Sequence, residues 1–200
     1  MREFVVRARQ APVDPAAFLA SVGKEPHVEY LAQMFMDGMF VSKGHREDTV
    51  LTFTLERSPD YSRSLCIDGR TLGSLGGLTE RALLETFADA LKLGSGLGKE
   101  ETIVTDSGIA VSTVSFERLV KDKAQTRPVY VLDKKGTDIR EAVIDDDPVF
   151  VMTDHIPMPR KTFKSLRRQG VEGVSLGPAM LRTSQCLVLI HNELDRRGPF

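Results

Sequence analysis

The sequence predicts an α/β protein in which helices cover a parallel sheet, and two observations carry that expectation. In the second half, "PVYVLD" (128–133), "PVFVMTD" (148–154), "VEGVSL" (171–176) and "CLVLIHNELD" (186–195) are continuous apolar runs. Runs that do not alternate belong to strands or segments buried on both faces, the habit of parallel sheets covered by helices. Elsewhere apolar residues recur at helical spacing. The composition, 41% hydrophobic and 28% charged, is ordinary for a globular chain and supplies a proper core. A length of 200 residues predicts one domain, or one with an appendage.

Taken in order, "EFVVRA" (3–8) reads as a buried strand closed by Pro12 and Pro15. From Val28 to Phe40 an amphipathic stripe of Val28, Leu31, Phe35 and Met39 predicts a helix. "TVLTFTL" (49–55) sets Leu51, Phe53 and Leu55 against threonines, as a strand does. Residues 56–78 are loop-rich, with glycines at 69, 73, 76 and 77. Thr79 caps a helix whose inner face is Leu83, Leu84, Phe87 and Leu91 and which Gly94 ends. "GSGLGKEE" (94–101) then reads as a mobile linker and "SFERLV" (115–120) as a short helix. The run at 186–195 is long, and periodicity leaves it open between strand and helix.

Several classes of function are set aside at this point. A formal net charge of −1 excludes a globally basic coat for nucleic acid, though not a local patch. No apolar run approaches the roughly 20 residues of a membrane span. "MREFVVRARQ" lacks the form of a signal peptide, and the expectation is a cytoplasmic protein with Cys66 and Cys186 as reduced thiols. "GSGLG" (94–98) only superficially matches a dinucleotide fingerprint, because it follows a helix and leads into Lys-Glu-Glu.

The candidates for chemistry are few. Asp154 and His155 end a strand, where ligand residues of α/β folds collect. They read either as a solvated carboxylate with its imidazole or as a catalytic pair. "TDHIPMP" offers too few donors for a metal site. Cys186, flanked by Leu187, Val188 and Leu189, looks like a small buried hydrophobe and not a nucleophile. "PRKTFKSLRRQG" (159–170) puts Arg160, Lys164 and Arg168, or Lys161, Lys164 and Arg168, on one helical face, with Arg167 beside them. That is a solvated face or a phosphate-tracking patch. Arg7 and Arg9 share one side of their strand by parity and offer a second basic site.

Four stretches together carry a resemblance: "FVVRARQAP", "FVSKGHREDT", "VFVMTDHIPMP" and "VSLGPAMLRTSQCLVLIHNELD". The chain resembles the TrmY family, the tRNA pseudouridine N1-methyltransferases of archaea and their bacterial homologues, within the SPOUT superfamily. The resemblance implies a parallel sheet flanked by helices with a C-terminal deep trefoil knot, here about 128–200, in a single domain over 1–200. It also implies S-adenosylmethionine as cofactor, held by Leu132, Thr153, Leu176, Gly177, Pro178, Ala179, Met180, Leu181 and Cys186. The residues suit that role, since glycine admits close backbone approach and the leucines and Met180 give apolar walls.

The chemistry that the resemblance implies needs a proton acceptor and an anchor. Asp48 or Asp154 would take the N1 proton, and Arg46 or Arg7 would hold a phosphate or a uracil oxygen. RNA, most readily a tRNA, would lie against Arg7, Arg9, Arg160, Lys164, Arg167 and Arg168. A homodimer is implied as well, with "CLVLIHNEL" lending apolar surface. The family pattern has glycine where this chain has Thr153, and another near Pro157. Those departures keep a second reading open, a non-catalytic RNA-binding or assembly protein that retains the fold. A nicotinamide-nucleotide enzyme fails for want of an early glycine-rich turn.

Overall fold

The structure is a computed structural model that describes residues 1–198. Strand β1 (Arg2–Pro12) is followed by helices α1 (Pro15–Ala20) and α2 (Glu29–Met39). A small ribbon of β2 (Phe40–Val41) and β3 (Gly44–His45) leads into β4 (Thr49–Arg57) and β5 (Arg63–Asp68). Helix α3 (Glu80–Leu93) precedes β6 (Thr102–Val104), β7 (Ile109–Ser112) and α4 (Phe116–Ala124). The last part comprises β8 (Val129–Asp138), β9 (Val149–Thr153), α5 (Arg160–Arg168), β10 (Glu172–Ser175) and α6 (Thr183–Arg197).

Eight strands form one sheet in the order β10-β8-β9-β1-β4-β5-β7-β6. From β10 to β4 every pairing is parallel, with Phe4 opposite both Leu51 and Phe150. Beyond β4 the pairings are antiparallel. The expected parallel sheet is therefore one half of a mixed sheet. The antiparallel edge escapes a sequence reading for physical reasons. β6 and β7 are three and four residues long, and β5 carries Arg63 and Asp68 at its ends.

Side-chain alternation along each strand builds two cores. On one face Phe4, Val6 and Ala8 join Leu51, Phe53 and Leu55 under α1, α2, α3 and α6, which contribute Phe18, Phe35, Phe87, Leu187 and Ile190. Phe35 and Phe87 meet edge to face at 5.5 Å, a preferred geometry for aromatic pairs. On the other face Val5, Val131, Val149 and Val151 lie against Phe116 and Val120 of α4 and Leu166 of α5. The threonines of β4 are buried too; the Ser64 hydroxyl donates to Thr54 Oγ1 at 3.2 Å.

Local signals explain the helices. Thr79 Oγ1 accepts the Ala82 N–H at 3.2 Å and Ser115 Oγ accepts the Arg118 N–H at 3.3 Å, so both caps satisfy an otherwise orphaned donor. The open question at 186–195 resolves as helix. Cys186, Leu187, Ile190 and His191 form its buried side, and Val188 and Leu189 face outward. The glycine-rich stretch after α3 corrects an expectation, because it is a fixed turn and not a loose linker. Arg63 Nε donates to the Gly94 carbonyl at 3.0 Å. A Cβ at Gly94 would meet Val111 Cγ1 at 2.5 Å, which leaves room only for glycine. Among the described residues no helix is long and apolar enough to cross a membrane.

Candidate functional site

Four parallel strands, β10, β8, β9 and β1, are neighbours, so the loops after them gather at one edge of the sheet. Such carboxyl ends are where open α/β sheets bind ligands. β8 is irregular here. Val131 pairs with Gly173, yet the next pairing joins Thr137 to Val174, so residues 132–136 leave the ladder. The excursion needs glycine at its return, since a Cβ on Gly136 would sit 2.4 Å from the Gly173 carbonyl carbon.

After β10 the chain turns through Gly177, whose N–H donates to Ser175 Oγ at 3.2 Å. Gly177 has φ +108°, which side-chain-bearing residues rarely adopt, and a Cβ there would meet nothing within 4 Å. Pro178, Ala179 and Met180 are exposed, while Leu132, Leu176 and Leu181 are half-buried. The Thr183 hydroxyl donates to the Thr153 carbonyl at 2.6 Å and ties the first turn of α6 to the end of β9. One turn on, Cys186 is buried, and burial pushes its thiol up to about 11, so it stays an inert thiol. Open backbone over Gly177 and apolar walls from three leucines are what a nucleoside cofactor requires.

Asp154 stands at the same edge. It is buried, its N–H donates to the Arg7 carbonyl at 3.2 Å, and its Oδ1 accepts the Ile156 N–H at 2.9 Å. Burial pushes the carboxyl up to about 6, against the smaller pull of that hydrogen bond and of His155 and Arg9. A carboxyl poised near neutrality at a strand end is a functional candidate.

Asp48 and Arg46 lie at the opposite end. Arg2 of β1 faces Thr49, while Arg7 faces Thr153, so the two candidate groups are separated by about five residues of strand, roughly 17 Å. Arg46 donates to both oxygens of Asp195, at 3.1 and 2.7 Å. Arg2 bridges Asp195 at 2.6 Å and Asp48 at 2.8 Å. Burial raises the Asp195 carboxyl, and the two guanidinium groups outweigh that and hold it below the usual range. His191 completes the knot of charges: Nε2–H donates to the Gly38 carbonyl at 2.9 Å and Nδ1 accepts from Arg2 at 3.2 Å. Burial, then Arg46 and Arg2, push this imidazole down to about 3, so it is neutral. Within one protomer the structure does not bring Asp48 and Arg46 to Asp154.

The basic residues also divide. Arg7 is buried, with Nε on Glu56 at 2.8 Å, Nη2 on Glu117 at 2.6 Å, Nη1 on Thr162 at 3.0 Å and the Phe116 ring 4.5 Å away. Three of its N–H groups pin α4 and α5 to the sheet. The register of β1 shifts between Ala8 and Pro12, and Arg9 is exposed where Arg7 is buried, so strand parity does not describe the pair. On α5 Arg160, Lys161, Lys164 and Arg168 are exposed, whereas Arg167 donates to Asp133 at 2.8 Å.

Known proteins match the chain along its whole length. A family model described as "Putative SAM-dependent RNA methyltransferase" matches residues 1–198. A Shewanella baltica protein (strain OS185) named "Putative pseudouridine methyltransferase" is 53% identical over 195 residues, covering 98% of each chain. A Vibrio parahaemolyticus protein of the same name is 51% identical over 197 residues, covering 98% of this chain and 99% of that one. Among solved structures, Archaeoglobus fulgidus Nep1 bound to S-adenosylhomocysteine has a TM-score of 0.65 at 14% identity, covering 98% of this chain and 97% of its own, and so shares the fold. The four blocks that carried the sequence resemblance thus mark descent and not chance, and the chain belongs to the family of SAM-dependent RNA methyltransferases.

Proposed function

We propose that this protein transfers the methyl group of S-adenosylmethionine to N1 of a pseudouridine in a structured RNA, a tRNA loop first among them. The observation that carries the reading is the pairing of two features at one sheet edge, the open Gly177 turn and the poised Asp154 carboxyl. The naming of relatives about 50% identical over the whole chain fixes the reaction class.

Leu132, Thr153, residues 176–181 and Cys186 would hold the cofactor. Thr153 replaces a glycine of the family pattern, and it offers its carbonyl, already anchored by Thr183. When bound, the cofactor supplies an activated methyl on a sulfonium. What the chain must add is proton removal, because N1–H of pseudouridine is a poor nucleophile until it loses that proton. Asp154 accepts it: a carboxyl near 6 is ionised at neutral pH yet more basic than an ordinary aspartate. N1 would gain the methyl as the N1–H electron pair forms the new C–N bond and the methyl–sulfur pair stays on sulfur, which leaves as a neutral thioether, while the proton would pass to Asp154. Exposed Arg9, Arg160, Lys161, Lys164 and Arg168 would track the RNA backbone. Asp48 and Arg46 serve to hold the far end of the sheet together.

The reading includes a cytoplasmic homodimer of single-domain SPOUT chains, knotted over about 128–200. The outward Val188 and Leu189 of α6, near exposed Met180 in sequence, support an apolar contact between copies. The β8 excursion, with β10 paired on both sides of it, supports a threaded loop. The decisive experiment is transfer of labelled methyl to matched RNAs with uridine or pseudouridine at one site, followed by nucleoside analysis. Label should enter only the pseudouridine RNA, since uridine is bonded to ribose through N1 and has no N–H there. Equal labelling of both would overturn the N1 assignment.

A further inference from the structure

Beside Asp154 the fold brings together three rings from two distant parts of the sequence. His155 follows Asp154 at the end of β9, while His27 and Tyr30 come from the start of α2 and the residue pair before it. Ring centroids are 5.1 Å apart for Tyr30 and His155, 5.7 Å for His27 and Tyr30, and 5.8 Å for His27 and His155. Tyr30 is half-buried against the main core, whereas the side chains of His27 and His155 keep 32% and 26% of their exposure. Glu25 reaches both imidazoles, 3.2 Å from Nε2 of His155 and 3.7 Å from Nε2 of His27. Glu29 holds His27 Nδ1 at 2.9 Å.

The backbone adds an independent sign. His27 has φ +56°, in the left-handed region that few residues with side chains occupy. Such conformations persist where the surroundings hold them, and they concentrate at ligand sites. Core packing would bury these rings among aliphatic groups. Here they remain open at the ligand edge of the sheet, bordered by carboxylates on both sides. Asp154 lies 3.9 Å from Nδ1 of His155, opposite the nitrogen that meets Glu25.

Chemistry on a base requires the base out of its stack, and proteins replace the lost stacking with aromatic side chains. We propose that His27, Tyr30 and His155 form the seat of the reacting base, which lies face-on against Tyr30 with the two tilted imidazoles at its edges and presents its ring N–H groups to Asp154 and Glu25. The proposal rests on the functional reading above and names where that substrate binds. It also supplies a basis for choice. Pseudouridine carries ring N–H groups at both N1 and N3, which match two flanking acceptors, whereas uridine carries only N3–H and leaves one acceptor unmatched. Tyr30, His27 and Glu25 are thereby substrate-contacting residues, held by the first turn of α2 against the end of β9.

The test compares wild type with Tyr30→Ala, Tyr30→Phe and His155→Ala. Cofactor affinity by calorimetry and overall RNA affinity should stay within about twofold, because phosphate contacts dominate RNA binding. Single-turnover methyl transfer should fall roughly ten- to hundredfold in the alanine variants and less than about threefold in Tyr30→Phe, the range that loss of one stacking partner gives. A second readout does not depend on activity. A stem-loop RNA carrying 5-iodouridine through its loop is irradiated on the wild-type protein, and the attached peptides are mapped. Attachment at His27, Tyr30 or His155 supports the seat. Attachment confined to other residues, or none, overturns it, as does an unchanged transfer rate in folded Tyr30→Ala. If attachment maps here while pseudouridine RNA is never methylated, the seat stands and the assigned reaction falls.

Discussion

The two ends of the parallel strands handle charge in opposite ways. At the amino end Arg2, Arg46, Asp48, Asp195 and neutral His191 satisfy one another, and the carboxyl at the centre, Asp195, is held low by two guanidinium groups. At the carboxyl end Asp154 is more deeply withdrawn from water and bonds no guanidinium, and burial outweighs the weaker pull of His155 and Arg9 and leaves its carboxyl raised to about 6. A saturated network fixes structure. A buried acid without a bonded guanidinium has a proton to exchange, and that difference separates a clamp from a reactive group.

The strongest way to break the contrast is to remove the reactive carboxyl. Asp154→Asn should cut methyl transfer by about 10²–10⁴, the usual contribution of a general base, with cofactor affinity kept. Wild-type rate should rise with pH through about 6 as the carboxyl ionises, and the variant should lose that limb. A variant that kept the pH limb would move the proton acceptor elsewhere.

Next comes the open turn. Gly177→Val forces a side chain into φ +108° and into the space over the turn, and should weaken S-adenosylmethionine binding by roughly a hundredfold or more, a loss calorimetry would read directly. Gly96→Ala is the matched control. Nothing lies within 4 Å of a Cβ there, so binding should be unchanged. The reverse pattern would relocate the cofactor.

At the clamp the effect should be on stability and not on chemistry. Asp195→Ala leaves Arg2 and Arg46 facing each other without their shared partner, and should cost about 2–4 kcal/mol in urea unfolding. The transfer rate per folded molecule should hold. Loss of activity without loss of stability would show that this end reaches a second protomer's site.

The smallest effect is on pH dependence. The folded pKa of His191, about 3, lies below its unfolded value of roughly 6.5, so its contribution is present above that value and is lost as pH falls through it. Asp154 acts in the opposite sense: raised to about 6, it favours the folded state below roughly 4 and loses that contribution as pH rises through 6. The imidazole has the larger displacement, but Asp154 offsets it until its own contribution is complete near pH 4, and Asp195 adds its loss below that, so thermal stability should decline chiefly below about pH 4. His191→Gln should flatten the decline, and an unaltered slope would assign it to other groups.

What the sequence disclosed follows from the range of the interactions involved. Helix α3 was legible because Thr79, the Leu83-to-Leu91 face and Gly94 are local signals. The loops after β8, β9 and β10 were legible as strand ends through their place after apolar runs. Strand pairing was not, and the parallel pairing of β4 and β9 with β1 decides that Asp48, before β4, and Asp154, after β9, stand at opposite ends of the sheet. Arg7 gave no sign that Glu56, Glu117 and Thr162 would enclose it. His27 and Tyr30 were silent because they reach His155 across about 125 residues of chain, with no motif to announce the meeting.

The central place of β1 bears on how the chain can be made. It leaves the ribosome before both of its neighbours, and it acquires β4 on one side after some fifty residues but β9 on the other only near residue 149. Until then the edge that carries Phe4, Val5 and Val6 has unpaired backbone groups, the kind of template on which nascent chains aggregate. Asp195, the partner of Arg2, follows 193 residues behind it. A ribosome that stalls between β4 and β9 would therefore hold or release a chain with its hydrophobic middle uncovered, and such fragments should be found with chaperones or in inclusion bodies.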